Sequence, residues 1–136
     1  MESGKPAIVR QLPERFIKGE LDEFCHQVKA LLGAERPWLV FDFSAVKEID
    51  RYGAEMLVVC LKQALKANGD IKLASIPAAP EVILELTGAN RVFEAYPNAF
   101  EAVQSFQRHS HEIRSVEELW PTAQDRTSPA RLRIAG

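Results

Sequence analysis

The segment WLVFDF at residues 38–43 restricts the fold of this chain more than any other feature. It is short and almost entirely apolar, and Pro37 introduces it, so we expect a strand that is buried on both faces. Strands of this kind are typical of parallel sheets that helices cover on both sides. A second strand is predicted at IKLASI, residues 71–76. Together these segments predict a parallel sheet at the centre of the fold.

Four amphipathic helices are predicted around these strands. Apolar side chains recur three and four positions apart in residues 19–33 and again after Asp50. Gly33 is expected to cap the C-terminus of the first of these helices. APEVILELTG predicts a helix with Pro80 near its first turn and Gly88 just past its end, and NAFEAVQSF predicts the last helix. The apolar positions expected to face the core are Leu21, Phe24, Cys25, Val28, Leu31 and Leu32 in the first helix, Leu57, Cys60, Leu61, Ala64 and Leu65 in the second, and Phe100, Val103 and Phe106 in the last.

Shorter strands are expected near both ends of the domain. AIVRQLP predicts an edge strand, because Pro13 cannot continue a central one, and RVFEAY predicts a last strand. Strands and helices then alternate, and each intervening helix supplies the crossover that parallel neighbours need. With 136 residues, the chain is predicted to form one α/β domain, a small sheet that is largely parallel in the middle and packed with about four amphipathic helices.

The composition changes after Phe106, where the chain becomes polar and is interrupted by prolines. We therefore predict a domain over residues 1–107 and a C-terminal extension over residues 108–136. The extension is expected to form a short helix and then a disordered end from about Pro121. The apolar residues that match helical spacing in this helix are Ile113, Val116, Leu119 and Trp120.

Charge and hydropathy argue against several classes of partner. The formal net charge is −2 and no basic stripe is present, so a nucleic-acid partner is not expected. No apolar run is long enough to cross a bilayer, and the N-terminus has no apolar signal core, so we expect no membrane insertion and a cytoplasmic protein. Cys25 and Cys60 lie on the apolar faces of predicted helices and are interpreted as buried, inert thiols.

Two acidic residues and two histidines are candidate chemical groups. Asp42 and Asp50 could form a carboxylate pair, but the sequence supplies no third metal ligand, no base beside a nucleophile and no phosphate-binding loop. We expect Asp42 to accept hydrogen bonds from the turn that follows its strand, and Asp50 to cap a helix. His109 and His111 lack further ligands. Neither an enzyme, a metal nor another cofactor is predicted.

Four segments, in their order along the chain, carry a family resemblance. They are LVFDFSAVKEID, Gly53 at the start of a helix, KANGDIKLASI and PEVILELTGANRVFEAYPN. From about residue 19 to residue 106 the chain resembles a STAS domain, the fold shared by sulfate transporters and anti-sigma-factor antagonists. The resemblance implies a compact α/β domain that works by binding another protein.

The resemblance also identifies a turn with an unusual sequence. In bacterial regulators of this family the turn is Asp-Ser-Ser-Gly or Asp-Ser-Thr-Gly, and a partner kinase phosphorylates the hydroxyl residue before the glycine. The unphosphorylated form binds an anti-sigma factor, often that same kinase. Here Asp50 and Gly53 match the pattern, whereas Arg51 and Tyr52 do not. A tyrosine hydroxyl stands several ångströms further from the backbone than a serine hydroxyl, so a Ser/Thr kinase would be misaligned with it.

The helix after this turn presents a second set of candidate residues. If its apolar stripe faces the core, Tyr52, Glu55, Val59, Lys62 and Lys66 lie on the opposite side. STAS domains of this type present this helix to their partners, and neither Arg51 nor Tyr52 supplies the negative charge of a phosphoserine. The predicted partner-binding residues are Asp50, Arg51, Tyr52, Gly53, Glu55, Val59 and Lys62, with Asp42 as a supporting acidic residue.

Three functions remain open at this point. The first is a non-enzymatic regulator like the anti-sigma-factor antagonists, which binds an anti-sigma factor or a related serine-kinase-like protein and is not switched by serine phosphorylation. The second is a soluble STAS subunit that docks on the ATPase of a membrane lipid transport complex. The third is a nucleotide-binding or enzymatic α/β protein, against which the absence of a phosphate loop counts. Homodimer formation is also left open.

Overall fold

The computed structural model describes residues 7–108 and 133–134. Within these ranges a five-stranded sheet is packed with four α-helices, and a two-stranded sheet lies beside it. The elements in chain order are β1 (Ile8–Gln11), β2 (Arg15–Phe16), α1 (Asp22–Leu32), β3 (Trp38–Asp42), β4 (Glu48–Ile49), α2 (Arg51–Lys66), β5 (Asp70–Ala74), α3 (Ala78–Thr87), a short 3₁₀ helix (Ala89–Arg91), β6 (Glu94–Tyr96), α4 (Ala99–Arg108) and β7 (Arg133–Ile134).

The large sheet has the strand order β1-β3-β5-β6-β7, and every pairing in it is parallel. The central strands β3 and β5 pair from Trp38 opposite Asp70 to Asp42 opposite Ala74. All five residues of β5 and the three central residues of β3 are buried. The predicted parallel sheet with buried central strands and four helices is therefore confirmed, and β1 is an edge strand, as predicted.

Helices α1, α2 and α3 cover one face of the sheet. Phe24 of α1 packs edge-on against Phe16 and Phe41, at ring-centroid distances of 4.8 and 5.4 Å. Helix α2 buries a stripe of seven residues in the same core. The residues of this stripe are Gly53, Ala54, Leu57, Val58, Cys60, Leu61 and Ala64.

Helix α4 covers the other face, and a buried lysine helps to hold it there. The Nζ atom of Lys72 donates to Ser105 Oγ at 2.6 Å and lies 3.1 Å from Glu94 Oε1. The Tyr96 hydroxyl donates to the same glutamate oxygen at 3.2 Å, and the Phe106 ring lies 4.4 Å from Lys72 Nζ. A buried ammonium group is costly unless its charge is paired and hydrogen-bonded, so this cluster ties α4 to β5 and β6.

Several predicted boundaries agree with the structure, and one inward-facing residue does not. Gly33 caps α1, Pro80 lies in the first turn of α3, and Gly88 ends α3 in the left-handed conformation, with φ at 81°. The prediction that Phe100 faces inward is wrong, because its side chain is 71% exposed. Helix α4 buries Ala102 and Phe106 instead, and Phe100 lies about 120° around the helix from Phe106.

The ends of the domain differ from the sequence-based expectation in three places. The predicted strand RVFEAY begins at residue 91, but β6 starts at Glu94, because Arg91 is the last residue of the 3₁₀ helix Ala89–Arg91. The short parallel pair β2 and β4 was not predicted. Arg133–Ile134 form a short strand that pairs with β6, although no strand was predicted in the C-terminal extension. The predicted helix near Trp120 lies outside the described residues.

Across residues 7–108 and 133–134, no helix combines the length and apolar character that crossing a bilayer requires.

Candidate functional site

The turn at residues 50–53 joins β4 to α2, and Asp50 holds its conformation. Asp50 has an extended backbone and occupies the N-cap of α2, where its Oδ1 atom accepts a hydrogen bond from the Gly53 N–H at 3.0 Å. Its second carboxylate oxygen accepts from the Lys18 N–H, also at 3.0 Å. The predicted helix-capping role of Asp50 is therefore confirmed, and the same side chain also fixes the loop before α1.

These contacts change the acidity of Asp50. Desolvation of the partly buried carboxylate raises its pKa, and the backbone amides of Lys18 and Gly53, with smaller contributions from Tyr52 and Asp50 itself, lower it. The amides prevail, so that the pKa of Asp50 lies below its ordinary value. At neutral pH the turn is thus held by an ionised carboxylate.

Gly53 allows α2 to start directly against β2. A Cβ atom at this position would overlap the carbonyl oxygen of Phe16, would lie 2.8 Å from Phe16 Cδ2 and would lie 3.0 Å from Ile49 Cγ1. The first of these neighbours is backbone, which cannot rotate away as a flexible side chain can. Close approach of the helix therefore explains the glycine at the end of the turn.

Arg51 and Tyr52 both project from the turn into solvent. The ammonium group of Lys18 lies 4.7 Å from the centroid of the Tyr52 ring, a cation–π contact. The guanidinium of Arg51 lies 3.8 Å from the carboxylate of Glu55, one helical turn further on. Both partners of this ion pair are exposed, so it contributes little to stability.

The outer side of α2 continues this exposed surface. Tyr52 is 44% exposed and Val59 is 49% exposed, with Glu55 exposed between them and Lys62 half-buried. These side chains recur three, four and seven positions apart, so they lie on one side of the helix. The structure thus brings the predicted α2 residues together on one face, which we call the α2 face: Arg51, Tyr52, Glu55, Val59 and Lys62.

Asp42 supports a different loop. Its Oδ1 atom accepts a hydrogen bond from the Ser44 N–H at 2.9 Å, and Ser44 Oγ accepts one from Gln11 Nε2 at 3.2 Å. The prediction that Asp42 binds the turn after its strand is confirmed. This carboxylate therefore shapes the segment that leads from β3 towards β4.

Lys18 is the site residue that the sequence reasoning missed. Its backbone N–H binds Asp50, and its side chain lies over Tyr52. Both contacts depend on the pairing of β2 with β4, which brings the loop before α1 next to the turn before α2. A two-residue strand has no measurable periodicity, so no sequence pattern indicated this contact.

The two cysteines lie between α1 and α2. Cys25 is half-buried, with its Sγ atom 3.4 Å from Met56 Sδ, and Cys60 is buried. Burial, followed by the neighbouring Cys25, raises the pKa of the Cys60 thiol to about 12. A thiol with so high a pKa is a poor nucleophile at neutral pH.

In the part of the chain that the structure describes, no three His, Cys, Asp or Glu side chains are grouped closely enough to hold a metal ion. His109 and His111 lie outside that part. The turn, the α2 face and Lys18 together present an aromatic ring, an apolar side chain, three cations and one carboxylate. This chemistry is suited to contact with another surface.

Comparison with known structures agrees with this architecture. An anti-sigma-factor antagonist (STAS) domain protein from Planctomyces limnophilus superposes with a TM-score of 0.64 at 22% identity, over 71% of this chain and 87% of that one. A protein from Thermotoga maritima described as a candidate anti-sigma factor antagonist gives 0.65 at 23% identity, over 76% and 94%. A sulfate transporter family protein from Wolinella succinogenes gives 0.60 at 13% identity, over 73% and 83%. At these identities the three proteins share the fold with this chain.

No curated protein matches the sequence significantly. The family model of the STAS domain matches residues 13–105, about two-thirds of the chain, and this match includes the turn, α2 and α3. The order of strands and helices agrees with that match. The chain therefore belongs to the STAS domain family.

Proposed function

We propose that this protein is a non-enzymatic regulator that binds a protein partner, in the manner of an anti-sigma-factor antagonist, through the turn at residues 50–53 and the α2 face. The observation that carries the proposal is the combination of a fixed backbone and exposed contact groups. Asp50 immobilises the turn with two hydrogen bonds, while Tyr52 and Val59 remain about half exposed. A surface that is already ordered loses little conformational entropy on binding.

The proposal includes the absence of a serine switch at this turn. The position before Gly53 carries a tyrosine whose ring lies beneath the Lys18 ammonium group, and Arg51 precedes it. Neither Arg51 nor Tyr52 supplies the negative charge that phosphorylation would bring. The protein therefore stays in a state like the unphosphorylated, binding-competent form of its relatives.

The partner is proposed to be an anti-sigma factor with a serine-kinase-like ATPase fold, and the interaction to take place in the cytoplasm without a cofactor. Two of the solved relatives are described as anti-sigma-factor antagonists. Another is a sulfate transporter family protein, so docking on a transporter ATPase is the second candidate. The two candidates predict different bound proteins for the same α2 face.

Affinity capture with matched variants tests this proposal. The tagged wild type is compared with Val59→Lys on the α2 face and with Val82→Lys on α3, whose valine is similarly exposed at 52%. A lysine at the centre of an interface brings a charge into an apolar contact, so Val59→Lys should lose the partner. Val82→Lys should retain it.

The identity of the captured protein decides between the candidates. An ATPase-fold anti-sigma protein that the wild type and Val82→Lys bind, and that Val59→Lys does not, supports the proposal. A transporter ATPase with the same dependence supports the second candidate. Equal capture by all three proteins contradicts binding through the α2 face.

A further inference from the structure

Three sulfur atoms meet where α1 packs against α2. The Cys25 thiol of α1 donates a hydrogen bond to the Met56 thioether of α2, with 3.4 Å between Sγ and Sδ. Cys60 lies one helical turn after Met56, so both side chains leave α2 on the same side. The Cys25 thiol is also one of the two causes of the raised pKa of Cys60, so the two thiols are close neighbours. Two thiols and one thioether therefore converge from two helices.

The core shields this sulfur cluster from water and leaves a way in. Cys60 belongs to the apolar core between the sheet and α1–α3, and Cys25 and Met56 pack against that core. Cys60 is 4% exposed, whereas Cys25 and Met56 are half-buried. A small ion can therefore reach the cluster past these two side chains while the domain stays folded.

The chemistry of the three sulfur atoms selects one class of metal ion. Thiolate and thioether sulfurs are soft ligands that suit copper(I), whereas magnesium, calcium and manganese are bound through oxygen. Zinc is bound by Cys, His, Asp and Glu side chains, and its structural sites have four ligands. Among the described residues no three side chains of those four types are grouped closely enough to hold a metal ion. A site between α1 and α2 thus requires the methionine, and a thioether favours copper(I) over zinc.

We propose that Cys25, Met56 and Cys60 form a three-coordinate site for copper(I). Each thiol releases its proton to solvent and binds the ion as a thiolate, and the thioether binds through a lone pair on sulfur. With metal–sulfur distances of about 2.3 Å, the three sulfur atoms of a trigonal site lie about 4 Å apart. The 3.4 Å between Cys25 and Met56 is close to that spacing, and the flexible methionine side chain can widen it. The bound ion joins α1 to α2.

Competition for copper(I) tests the site in the full chain, reduced and without oxygen. The wild type should withdraw one copper(I) ion per chain from a chromophoric copper(I) chelator. Met56→Leu keeps nearly the same side-chain volume and removes only the thioether, so it should weaken binding by roughly tenfold or more. Cys60→Ala removes a thiolate and should weaken binding further.

His26→Ala is the matched control for these variants. His26 is exposed beside Cys25 on α1, and imidazole also binds copper. Its ring is not part of the sulfur cluster, so His26→Ala should bind copper(I) as tightly as the wild type does. Circular dichroism of each variant verifies that it is folded.

Two further measurements identify the ligands directly. X-ray absorption at the copper edge should show three sulfur neighbours around the ion. Bound copper(I) should also protect Cys25 from iodoacetamide at neutral pH, because a coordinated thiolate is not free to attack. Met56→Leu, which binds the ion more weakly, should lose this protection at a lower concentration of the competing chelator.

The results that overturn the site are specific. Equal affinity of the wild type and Met56→Leu excludes the thioether, and nitrogen neighbours in the absorption spectrum exclude an all-sulfur site. A loss of affinity in His26→Ala as large as that in Cys60→Ala moves the ion away from the cluster. Partner capture is measured without copper, so each of these results leaves binding through the α2 face untouched.

Discussion

A Cβ atom on Gly53 would overlap the carbonyl oxygen of Phe16 and would lie 2.8 Å from Phe16 Cδ2. The first turn of α2 thus rests directly on the backbone of β2. This contact, together with the Asp50 carboxylate, makes the turn before α2 a fixed part of the domain. The proposed binding surface is consequently ordered by local packing.

Gly53→Ala should destabilise the domain. The added methyl group forces α2 away from Phe16, and overpacking of this kind costs about 1–3 kcal/mol. Urea unfolding measures this decrease in the free energy of unfolding. Gly33→Ala is the matched control, because a Cβ atom there would approach its nearest neighbour, the Ala30 carbonyl oxygen, only to 3.6 Å. Equal stability of Gly53→Ala and the wild type would show that the helix can shift without cost.

Asp50→Asn should change how stability depends on pH. The folded-state pKa of Asp50 is lowered, so its ionised form adds stability that is present above the unfolded-state value of about 4 and is lost as pH falls through the folded-state pKa. Asparagine keeps a capping oxygen but does not titrate. The difference in unfolding free energy between wild type and variant should therefore shrink as the pH is lowered below about 4. A difference that is constant with pH contradicts this role.

Glu94→Gln should cost more than Glu55→Gln. Glu94 accepts from the buried Lys72 and from Tyr96, so its neutralisation removes a negative charge that lies 3.1 Å from a buried ammonium group. We expect the free energy of unfolding to fall by about 2 kcal/mol. This is less than for the loss of a fully buried ion pair, because glutamine still accepts a hydrogen bond. Glu55 pairs with Arg51 at the surface, and its loss should cost less than about 1 kcal/mol. Urea unfolding of both variants gives the comparison.

The two thiols should differ in reactivity. The pKa of Cys60 is raised to about 12 and the thiol is buried, whereas Cys25 is half-buried. Iodoacetamide at neutral pH should therefore label Cys25 first and leave Cys60 unmodified until the protein is unfolded. Mass spectrometry of peptides from the native and the denatured protein reports each site. Labelling of Cys60 at the rate of Cys25 in the native protein would contradict its burial.

The central elements could be predicted because their signals are local. WLVFDF is apolar throughout, and the spacing of Leu57, Leu61 and Ala64 fits one helical stripe. The capping role of Asp50 also follows from a local rule, since aspartate before a helix accepts from an amide three residues later. Spacing alone did not predict that Phe100 is exposed, because α4 has few apolar residues and they are compatible with more than one inward-facing side of the helix.

The remaining features depend on contacts between distant segments. Lys18 reaches the turn only because β2 pairs with β4, and each of these strands has two residues. Lys72 occupies a core-facing position of β5, where the sequence pattern predicts an apolar residue. Ser105 accepts a hydrogen bond from its ammonium group and Glu94 pairs with its charge, and both residues come from other elements. Rules based on neighbouring residues do not predict these contacts, because the residues are far apart in the sequence and meet only in the folded protein.

The effect of ATP on partner affinity tests directly whether the protein stays in its binding state. The protein captured by the α2 face is purified, and its affinity for the wild type is measured by titration calorimetry before and after incubation with ATP and magnesium. Because the turn has no serine or threonine, the affinity should be unchanged, and Tyr52→Ser should make it sensitive to ATP by restoring a hydroxyl close to the backbone. A wild-type affinity that falls tenfold or more after incubation, with phosphate found on the chain, would contradict an antagonist that is held in its binding state.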